Sequence, residues 1–201
     1  MSLRLALFAS GTGTNALNLL QTARELKNVK FELLVVDQVA SPLPSFVRSK
    51  YPNVKVAVIP VPLELDAKIR KLKHESEILA RLKEQKIDWI FLAGYMRIVD
   101  HTLLHEYSKS GRSQIVNIHP SLLPAYPGLK SYERAFQAGD PFSGITVHLV
   151  DAGMDTGPVL AQEVFKREDT DTLAQFIERG KAVEWLLYSK ILKQLDEKGE
   201  L

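Results

Sequence analysis

Short, continuous apolar runs alternate with amphipathic segments along the first 118 residues, and this alternation restricts the fold more than any other feature. The segments between the runs carry apolar residues at helical spacing. Such a chain forms βαβ units, in which parallel strands are covered by helices on both faces and so lack polar alternation. The predicted strands are Leu3 to Ala9, Phe31 to Val36, Val54 to Ile59, Trp89 to Ala93 and Gln114 to Ile118, with a long helix over Glu64 to Lys86.

The pattern changes after residue 118, where three prolines and a glycine fall within nine residues and indicate an irregular loop. A strand pair and two further helices follow. They are predicted over Ile145 to Val150, Val159 to Phe165, Ser131 to Ala138 and Leu173 to Leu192. We therefore predict one α/β domain over residues 1–201. Its sheet is Rossmann-like: open, twisted and mostly parallel, with helices on both faces and a mixed C-terminal portion.

Composition excludes several classes of site. The chain has no cysteine, so disulfides, thiolate nucleophiles and thiolate-bound metals are excluded. A formal charge of +2, with scattered basic residues, indicates no nucleic-acid surface. The apolar run Leu5 to Ala9 is shorter than the roughly 7–15 residues of a signal peptide. No apolar stretch approaches the roughly 20 residues of a membrane span, so we expect no membrane association and a cytoplasmic protein.

A glycine-rich loop, SGTGTN at residues 10–15, follows the first strand and opens a helix. Its backbone N–H groups can converge on an anion, with help from the helix dipole. Gly11 and Gly13 match two glycines of the dinucleotide fingerprint, and Asp37 ends the second strand where a ribose-binding acid would lie. The third glycine of that fingerprint is Ala16 here. The loop alone leaves three alternatives: a phosphate site, a dinucleotide site, or a tight turn capped by Thr14.

Two polar residues, Asn117 and His119, come at the end of the fifth predicted strand. Residues two apart in a strand face the same side, and ligands of open α/β sheets bind beyond the carboxyl ends of the strands. An amide can donate to a developing oxyanion, and a histidine can transfer protons. From these residues alone, a structural histidine before the proline turn is the favoured interpretation.

Carboxylates and further histidines supply weaker signals. Asp151 and Asp155 lie in a second turn-rich loop, where either can serve only as an Asx-turn residue. His101 and His105 are four residues apart, but no third ligand accompanies them. We therefore predict no metal site.

Four strings, in this order and spacing, resemble the phosphoribosylglycinamide formyltransferase family of folate-dependent enzymes. They are FASGTGTN, FLAGYMRI, NIHPSLLPAYPGL and ITVHLVDAGMDTGPVLAQ, and the resemblance runs from about residue 3 to about residue 190. It implies a formyltransferase fold and transfer of the formyl group of 10-formyltetrahydrofolate, a co-substrate, to the amine of glycinamide ribonucleotide in purine biosynthesis. No metal is implied. The added domains typical of methionyl-tRNA formyltransferases and formyltetrahydrofolate deformylases are not expected in a chain of this length.

The resemblance also implies three groups of site residues. Asn117 and His119 would stabilise the oxyanion, with His119 kept protonated by Asp155, which also carries the proton of the attacking amine. The implied contacts to the substrate phosphate and ribose are Gly11, Gly13, Thr14, Asn15, Lys181 and Glu184. The implied folate contacts are Lys71, Tyr95, Met96, Arg97, Ile98, Val99 and His148.

One stretch, Asp37 to Pro44, departs from the family pattern, in which a Ser-Asn pair usually ends the second strand. Pro42 and Pro44 are predicted to delay the next helix to about Ser45, which alters ribose contacts without changing the reaction class.

Two other functions stay open at this point. The acceptor can be water or another amine, which would make the protein a 10-formyltetrahydrofolate hydrolase or a different formyltransferase. The non-enzymatic alternative is a nucleotide-binding regulatory module that uses Gly11, Gly13 and Asp37. The expected partners are the two small molecules, and the expected assembly is a monomer or a homodimer.

Overall fold

A computed structural model of the chain describes residues 2–63 and 66–201. The strands in this part are β1 (Leu3–Ala9), β2 (Val29–Val36), β3 (Lys55–Val58), β4 (Trp89–Leu92), β5 (Ser108–Lys109), β6 (Arg112–Ser113), β7 (Ile115–His119), β8 (Phe142–Leu149) and β9 (Val159–Lys166). The helices are α1 (Thr14–Ala23), α2 (Leu43–Lys50), α3 (Ala67–Glu84), α4 (His101–Glu106), α5 (Ser131–Ala138) and α6 (Leu173–Lys198).

Seven of these strands form one sheet in the order β3-β2-β1-β4-β7-β8-β9, and β5 and β6 form a separate hairpin. The pairs from β3 through β7 are parallel, whereas β7–β8 and β8–β9 are antiparallel. The chain fills one side of β1 first and then returns to its other side with β4, so the strand order reverses there. The predicted Rossmann-like, mostly parallel sheet with a mixed C-terminal portion is confirmed. A switch point of this kind opens a crevice at the carboxyl ends of β1 and β4.

Helices cover both faces of the sheet, as the continuous apolar strands require. One core layer packs the sheet against α1 and α6 and contains Leu19, Phe91 and Tyr188. The opposite layer packs it against α3 and contains Phe8 and Ile78. The Tyr188 hydroxyl, fully buried, donates to the carbonyls of both Leu92 and Val116, which ties α6 to two central strands. The carboxyl ends of these central strands are therefore held rigidly by the core beneath them.

Several predicted boundaries need correction. Helix α3 runs over Ala67–Glu84, shorter than the predicted Glu64 to Lys86, and Glu64 and Leu65 lie outside the described residues. Helix α6 extends to Lys198, beyond the predicted Leu192, and neither α4 nor the β5–β6 hairpin was expected.

The two prolines do not delay helix α2 to Ser45. The helix begins at Leu43, with Pro42 at the N-cap and Pro44 in the first turn. The prediction was wrong because the first turn of a helix needs no backbone N–H, so proline is tolerated there.

Among the helices of residues 2–63 and 66–201, none is both long and apolar enough to cross a membrane.

Candidate active site

Most of the functional residues predicted from the sequence lie at the carboxyl ends of β1, β4 and β7, whereas Lys71 lies on α3, His148 on β8, and Lys181 and Glu184 on α6. Two loops form the walls of this crevice: the glycine loop (residues 10–15), after β1, and the β4 loop (residues 93–99), after β4. The end of β7, beside β4 on the side away from β1, supplies further polar side chains. The crevice therefore lies at the switch point of the sheet, where open α/β folds bind ligands.

Asp155 lies between Asn117 and His119, whose side chains extend from the same face of β7. Its Oδ1 is 3.4 Å from Asn117 Nδ2, and its Oδ2 is 3.3 Å from His119 Nδ1. Asn117 and His119 thus point to one side, as their spacing predicts, and Asp155, which the resemblance paired with His119, contacts both. A donor amide, an imidazole and a carboxylate thus converge on one small volume.

His148 joins this cluster, although the resemblance placed it among the folate contacts. In the antiparallel register of β7 and β8 it stands opposite Asn117. Its Nε2 lies 3.1 Å from Asn117 Nδ2 and 3.6 Å from Asp155 Oδ1. Its Nδ1 lies 2.9 Å from the carbonyl of Leu149, and its Nε2 faces both the Asn117 amide and the Asp155 carboxylate. His148 is therefore in contact with both Asn117 and Asp155.

The His119 ring is held at both nitrogens. Its Nε2 donates to the carbonyl of Tyr126 at 2.9 Å, and its Nδ1 faces Asp155. A carbonyl accepts only, so Nε2 carries a hydrogen, and only the imidazolium form can donate to the carbonyl and the carboxylate together. The arrangement is therefore complementary to a positively charged His119.

Asp155 is held by a backbone contact as well as by the histidines. Its φ is +55°, and the N–H of Gly128 donates to its Oδ2 at 2.8 Å. Burial by itself would raise the pKa of Asp155. The hydrogen bond to His148, the Gly128 N–H and the charges of His119 and His148 outweigh burial and lower that pKa below its ordinary value. Asp155 is consequently a carboxylate at neutral pH.

This lowered pKa can be measured directly. We expect the carboxyl ¹³C resonance of Asp155 to titrate with a midpoint below the ordinary value of 3.8. Because the folded state then binds this proton less readily than the unfolded state, the stability that Asp155 contributes is present above the ordinary value and is lost as the pH falls through the lowered one. An NMR titration checks this, with Asp155→Asn assigning the signal. A midpoint at or above 3.8 would contradict the assignment.

The glycine loop opens α1 without a side-chain cap. Gly13, with φ of +71°, is the N-cap residue, so the predicted cap at Thr14 is wrong. A Cβ at Gly13 would overlap the Leu43 side chain, which makes glycine necessary on two grounds. The first N–H groups of α1, beginning at Thr14 and Asn15, have no intrahelical acceptor and face the crevice side of the loop. They can bind an anion together with the helix dipole.

Glu184 connects the glycine loop to the C-terminal helices. Its carboxylate accepts from Asn15 Nδ2 and from the Tyr132 hydroxyl, each at 2.5 Å. The Asn15 Oδ1 is buried and has no hydrogen-bond partner in the described part of the chain. Lys181, three residues before Glu184 on α6, is exposed. The structure thus places Gly13, Asn15 and Glu184 together, with Lys181 on the same side of α6.

Gly180 sets how closely α5 approaches α6. A Cβ at this position would overlap the ring and hydroxyl of Tyr132, which binds Glu184. We expect Gly180→Ala to lower the free energy of unfolding, since overpacking costs about 1–3 kcal/mol and exceeds the gain of up to about 1 kcal/mol in helix propensity. Chemical denaturation measures the change. Gly11→Ala is the control, because nothing lies within 4 Å of a Cβ there. An unchanged Gly180→Ala would contradict the expectation.

The β4 loop is tied to the glycine loop by polar contacts. The Ser10 N–H donates to the Gly94 carbonyl at 3.2 Å, and the Met96 N–H donates to Ser10 Oγ at 2.8 Å. Arg97 Nε lies 2.7 Å from Asp37 Oδ2. Because the Asp37 side chain is fully buried and paired, it does not serve as the ribose-binding acid of a dinucleotide site. This removes the main support for the regulatory-module alternative.

The other residues of the implied folate set differ in exposure. Met96 and Ile98 are 62% and 63% exposed, so these apolar side chains can contact a ligand. Tyr95 packs edge-on against Phe8, and Val99 is buried in the core layer under α3. Their side chains serve packing. Lys71, on α3, forms a 3.0 Å ion pair with Asp100 just beyond the β4 loop.

Three contributors were not identified as site residues from the sequence. Tyr126 and Gly128 act through a backbone carbonyl and a backbone N–H, and Tyr132 acts through Glu184. The string AYPGL contains Tyr126 and Gly128. Both act through backbone atoms, so the identity of their side chains does not predict these contacts. Asp151, left as a structural candidate, accepts from the Gly153 N–H and the Thr156 hydroxyl and so forms an Asx turn. No group of three histidine or acidic side chains converges as a metal site anywhere in residues 2–63 and 66–201.

Comparisons with known proteins identify the family to which this chain belongs. The formyl transferase family model matches residues 3–192. The phosphoribosylglycinamide formyltransferase of Bacillus subtilis (strain 168) is 36% identical over 200 residues, which cover 96% of this chain and 94% of that protein. The crystal structure of phosphoribosylglycinamide formyltransferase from Bacillus halodurans has a TM-score of 0.87 at 41% identity and covers 98% of this chain and 97% of that one. Glycinamide ribonucleotide transformylase 1 from Geobacillus kaustophilus gives the same TM-score and identity, over 97% and 99% of the two chains. The chain therefore belongs to the formyl transferase family, in the group of phosphoribosylglycinamide formyltransferases.

Proposed function

We propose that this protein transfers the formyl group of 10-formyltetrahydrofolate to the amine of glycinamide ribonucleotide in de novo purine biosynthesis. The observation that carries the proposal is the convergence of Asn117, His119 and Asp155 at the end of β7, the strand next to β4. The names of its relatives point to the same reaction.

The acceptor binds at the glycine loop in this proposal. The substrate phosphate lies against the backbone N–H groups around Gly11, Gly13 and Thr14, and Lys181 adds a point charge. Asn15 has a buried, unpartnered Oδ1 in this place, and Glu184 can accept from ribose hydroxyls through its remaining lone pairs. A phosphate held at this end directs the substrate amine toward the end of β7.

The donor folate binds against the β4 loop. The exposed side chains of Met96 and Ile98 offer apolar contact to the pterin, and the backbone of residues 97–99 offers polar groups. Lys71, at 41% side-chain exposure, is free to approach the glutamate tail because its partner Asp100 is also exposed. The formyl group then reaches the cluster at the end of β7.

Catalysis follows from charge development at the formyl carbon. The neutral amine attacks, a C–N bond forms, and negative charge collects on the formyl oxygen. Asn117 Nδ2 donates to that oxygen, and the positive charge of His119 stabilises it. Asp155 accepts the amine proton, directly or through a water, and delivers it to the folate nitrogen as the old C–N bond breaks. No covalent enzyme intermediate forms.

In this proposal the His119–Asp155 contact has a second role. Both His119 nitrogens are already engaged, so Nδ1–H becomes available to the oxyanion only as Asp155 turns toward the amine proton. The proton transfer and the oxyanion stabilisation are thereby coupled in one movement of the Asp155 carboxylate.

An absorbance assay tests the proposed reaction. Purified protein is mixed with a 10-formyl folate analogue, with and without glycinamide ribonucleotide, and release of the deformylated folate is followed. We expect release only with the acceptor. Release without it would identify a hydrolase, release only with a different amine would change the acceptor, and no release at micromolar protein would refute the proposal.

A further inference from the structure

Asp37 is a buried carboxylate that the proposed chemistry does not use. It directly follows β2, and its side chain is fully buried. Its Oδ2 is 2.7 Å from Arg97 Nε, whereas its Oδ1 is buried without a hydrogen-bond partner in the described part of the chain. In the described part of the chain, Arg97 therefore supplies the positive charge that pairs with the buried Asp37 carboxylate. A buried charge without such a partner strongly destabilises a folded protein, so the Asp37 carboxylate requires Arg97 to stay close to it.

The Asp37–Arg97 contact crosses a strand. In the sheet order, β1 lies between β2, which precedes Asp37, and β4, which precedes Arg97. Neighbouring strands are about 4.8 Å apart, so β2 and β4 are separated by roughly 10 Å, and the β4 loop and the Arg97 side chain together bridge the end of β1 to reach Asp37. The end of β1 is also where the glycine loop begins. The ion pair thus links the β4 loop to the end of β2, across the start of the glycine loop.

Two consecutive residues of the β4 loop, Met96 and Arg97, each form a polar contact with a neighbouring segment. The Met96 N–H donates to Ser10 Oγ at the end of β1, and Arg97 binds Asp37 at the end of β2. Tyr95 and Val99 anchor the loop by apolar packing on either side, but Met96 and Ile98 are largely exposed and contribute little packing. Between those two anchors, the polar contacts of Met96 and Arg97 hold the loop backbone in place.

We propose that Asp37 is a positioning residue for donor binding: by holding Arg97 across the end of β1, it fixes the β4 loop in the conformation that receives the folate. This inference rests on the function proposed above. It concerns residues that contact neither the formyl carbon nor the amine, so it predicts an effect on donor affinity and a small effect on the chemical step.

Asp37→Asn separates the two effects. The variant keeps the shape of the side chain and removes its charge. We expect the KM for the 10-formyl folate analogue to rise about tenfold, because Arg97 keeps a neutral acceptor but loses the counter-charge that makes such a hydrogen bond roughly twice as strong. We expect kcat to change by less than about threefold, since the lost interaction acts on binding. The KM for glycinamide ribonucleotide should change less than that for the donor.

A double-mutant cycle tests whether Asp37 acts through Arg97. Arg97→Gln should raise the donor KM as well, and Asp37→Asn combined with Arg97→Gln should be no worse than Arg97→Gln alone. Multiplicative effects of the two single changes would overturn the proposal. If Asp37→Asn does not fold, Arg97→Gln still tests the Asp37–Arg97 contact, because the Arg97 side chain is 46% exposed. An unchanged donor KM in Arg97→Gln would refute the proposal.

Asp171→Asn is the matched control. Asp171 is also a buried aspartate paired with an arginine, Arg179, but it lies before α6 and away from the crevice. Its replacement can lower the thermal midpoint but should leave both KM values unchanged. A rise of the donor KM in this control would show that general loosening, and not the β4 loop, explains the Asp37 result.

Hydrogen exchange gives a readout that needs no turnover. A peptide covering residues 93–99 should exchange faster in Asp37→Asn than in the wild type without ligand, and unchanged exchange would overturn the positioning role. If the wild type exchanges as expected but transfers no formyl group, the proposed function fails while the loop tie itself stands.

Discussion

Replacing His119 by alanine is expected to lower kcat by at least about a hundredfold, the usual contribution of a positioned acid–base group. The variant loses the positive charge beside the developing oxyanion. It also leaves Asp155 without the Nδ1 partner at 3.3 Å, so the carboxylate is no longer aligned for the amine proton. Steady-state kinetics with both substrates saturating measures the change.

The control for this variant is His105→Ala, which removes an exposed imidazole on α4. Circular dichroism of both proteins checks that the fold is intact. A kcat near that of the wild type in His119→Ala would refute the assigned role, whatever the KM values show.

Replacing Asn117 by alanine should cost about 2.7–4 kcal/mol of barrier, which corresponds to a loss of roughly 10²–10³ in kcat. The amide is an uncharged donor, and it acts on the oxygen only as negative charge develops. We therefore expect kcat and kcat/KM to fall by the same factor.

Two comparisons sharpen the Asn117 experiment. Asn53→Ala, at an exposed asparagine after α2, should leave the kinetics unchanged. Asn117→Asp should be at least as damaging as the alanine variant, because it places a second carboxylate beside Asp155 Oδ1. A fall in kcat/KM without a fall in kcat would show that Asn117 acts in ground-state binding instead.

Local sequence pattern was sufficient for the strands and for part of the cluster. The apolar runs predicted the parallel strands, since strands covered on both faces cannot alternate. The spacing of Asn117 and His119 predicted a shared direction, because side chains in a strand repeat every two residues. Strand formation and side-chain direction within a strand both depend on residues that are close in the sequence.

The remaining site depends on contacts between distant segments. His148 was assigned to the folate set because its position opposite Asn117 follows from the β7–β8 register, which the sequence does not specify. The Asp37–Arg97 pair crosses β1, and the Tyr126 carbonyl reaches His119 through a loop whose backbone has φ of +53°. None of these contacts joins residues at a regular spacing in the sequence, so no sequence pattern predicts them. The cytoplasmic location and the assembly state also stay predictions.

Helix α6 has a consequence for how this protein can be screened. It buries Tyr188 beneath the central strands and, one turn earlier, carries Glu184 at the glycine loop. Occupancy of the acceptor site is therefore linked to cooperative unfolding of the whole core. By mass action, a ligand at 100 times its Kd adds about 2.7 kcal/mol to the folded state. A panel of phosphorylated amines can accordingly be ranked by the melting temperature of the protein alone, without a folate and without waiting for a turnover.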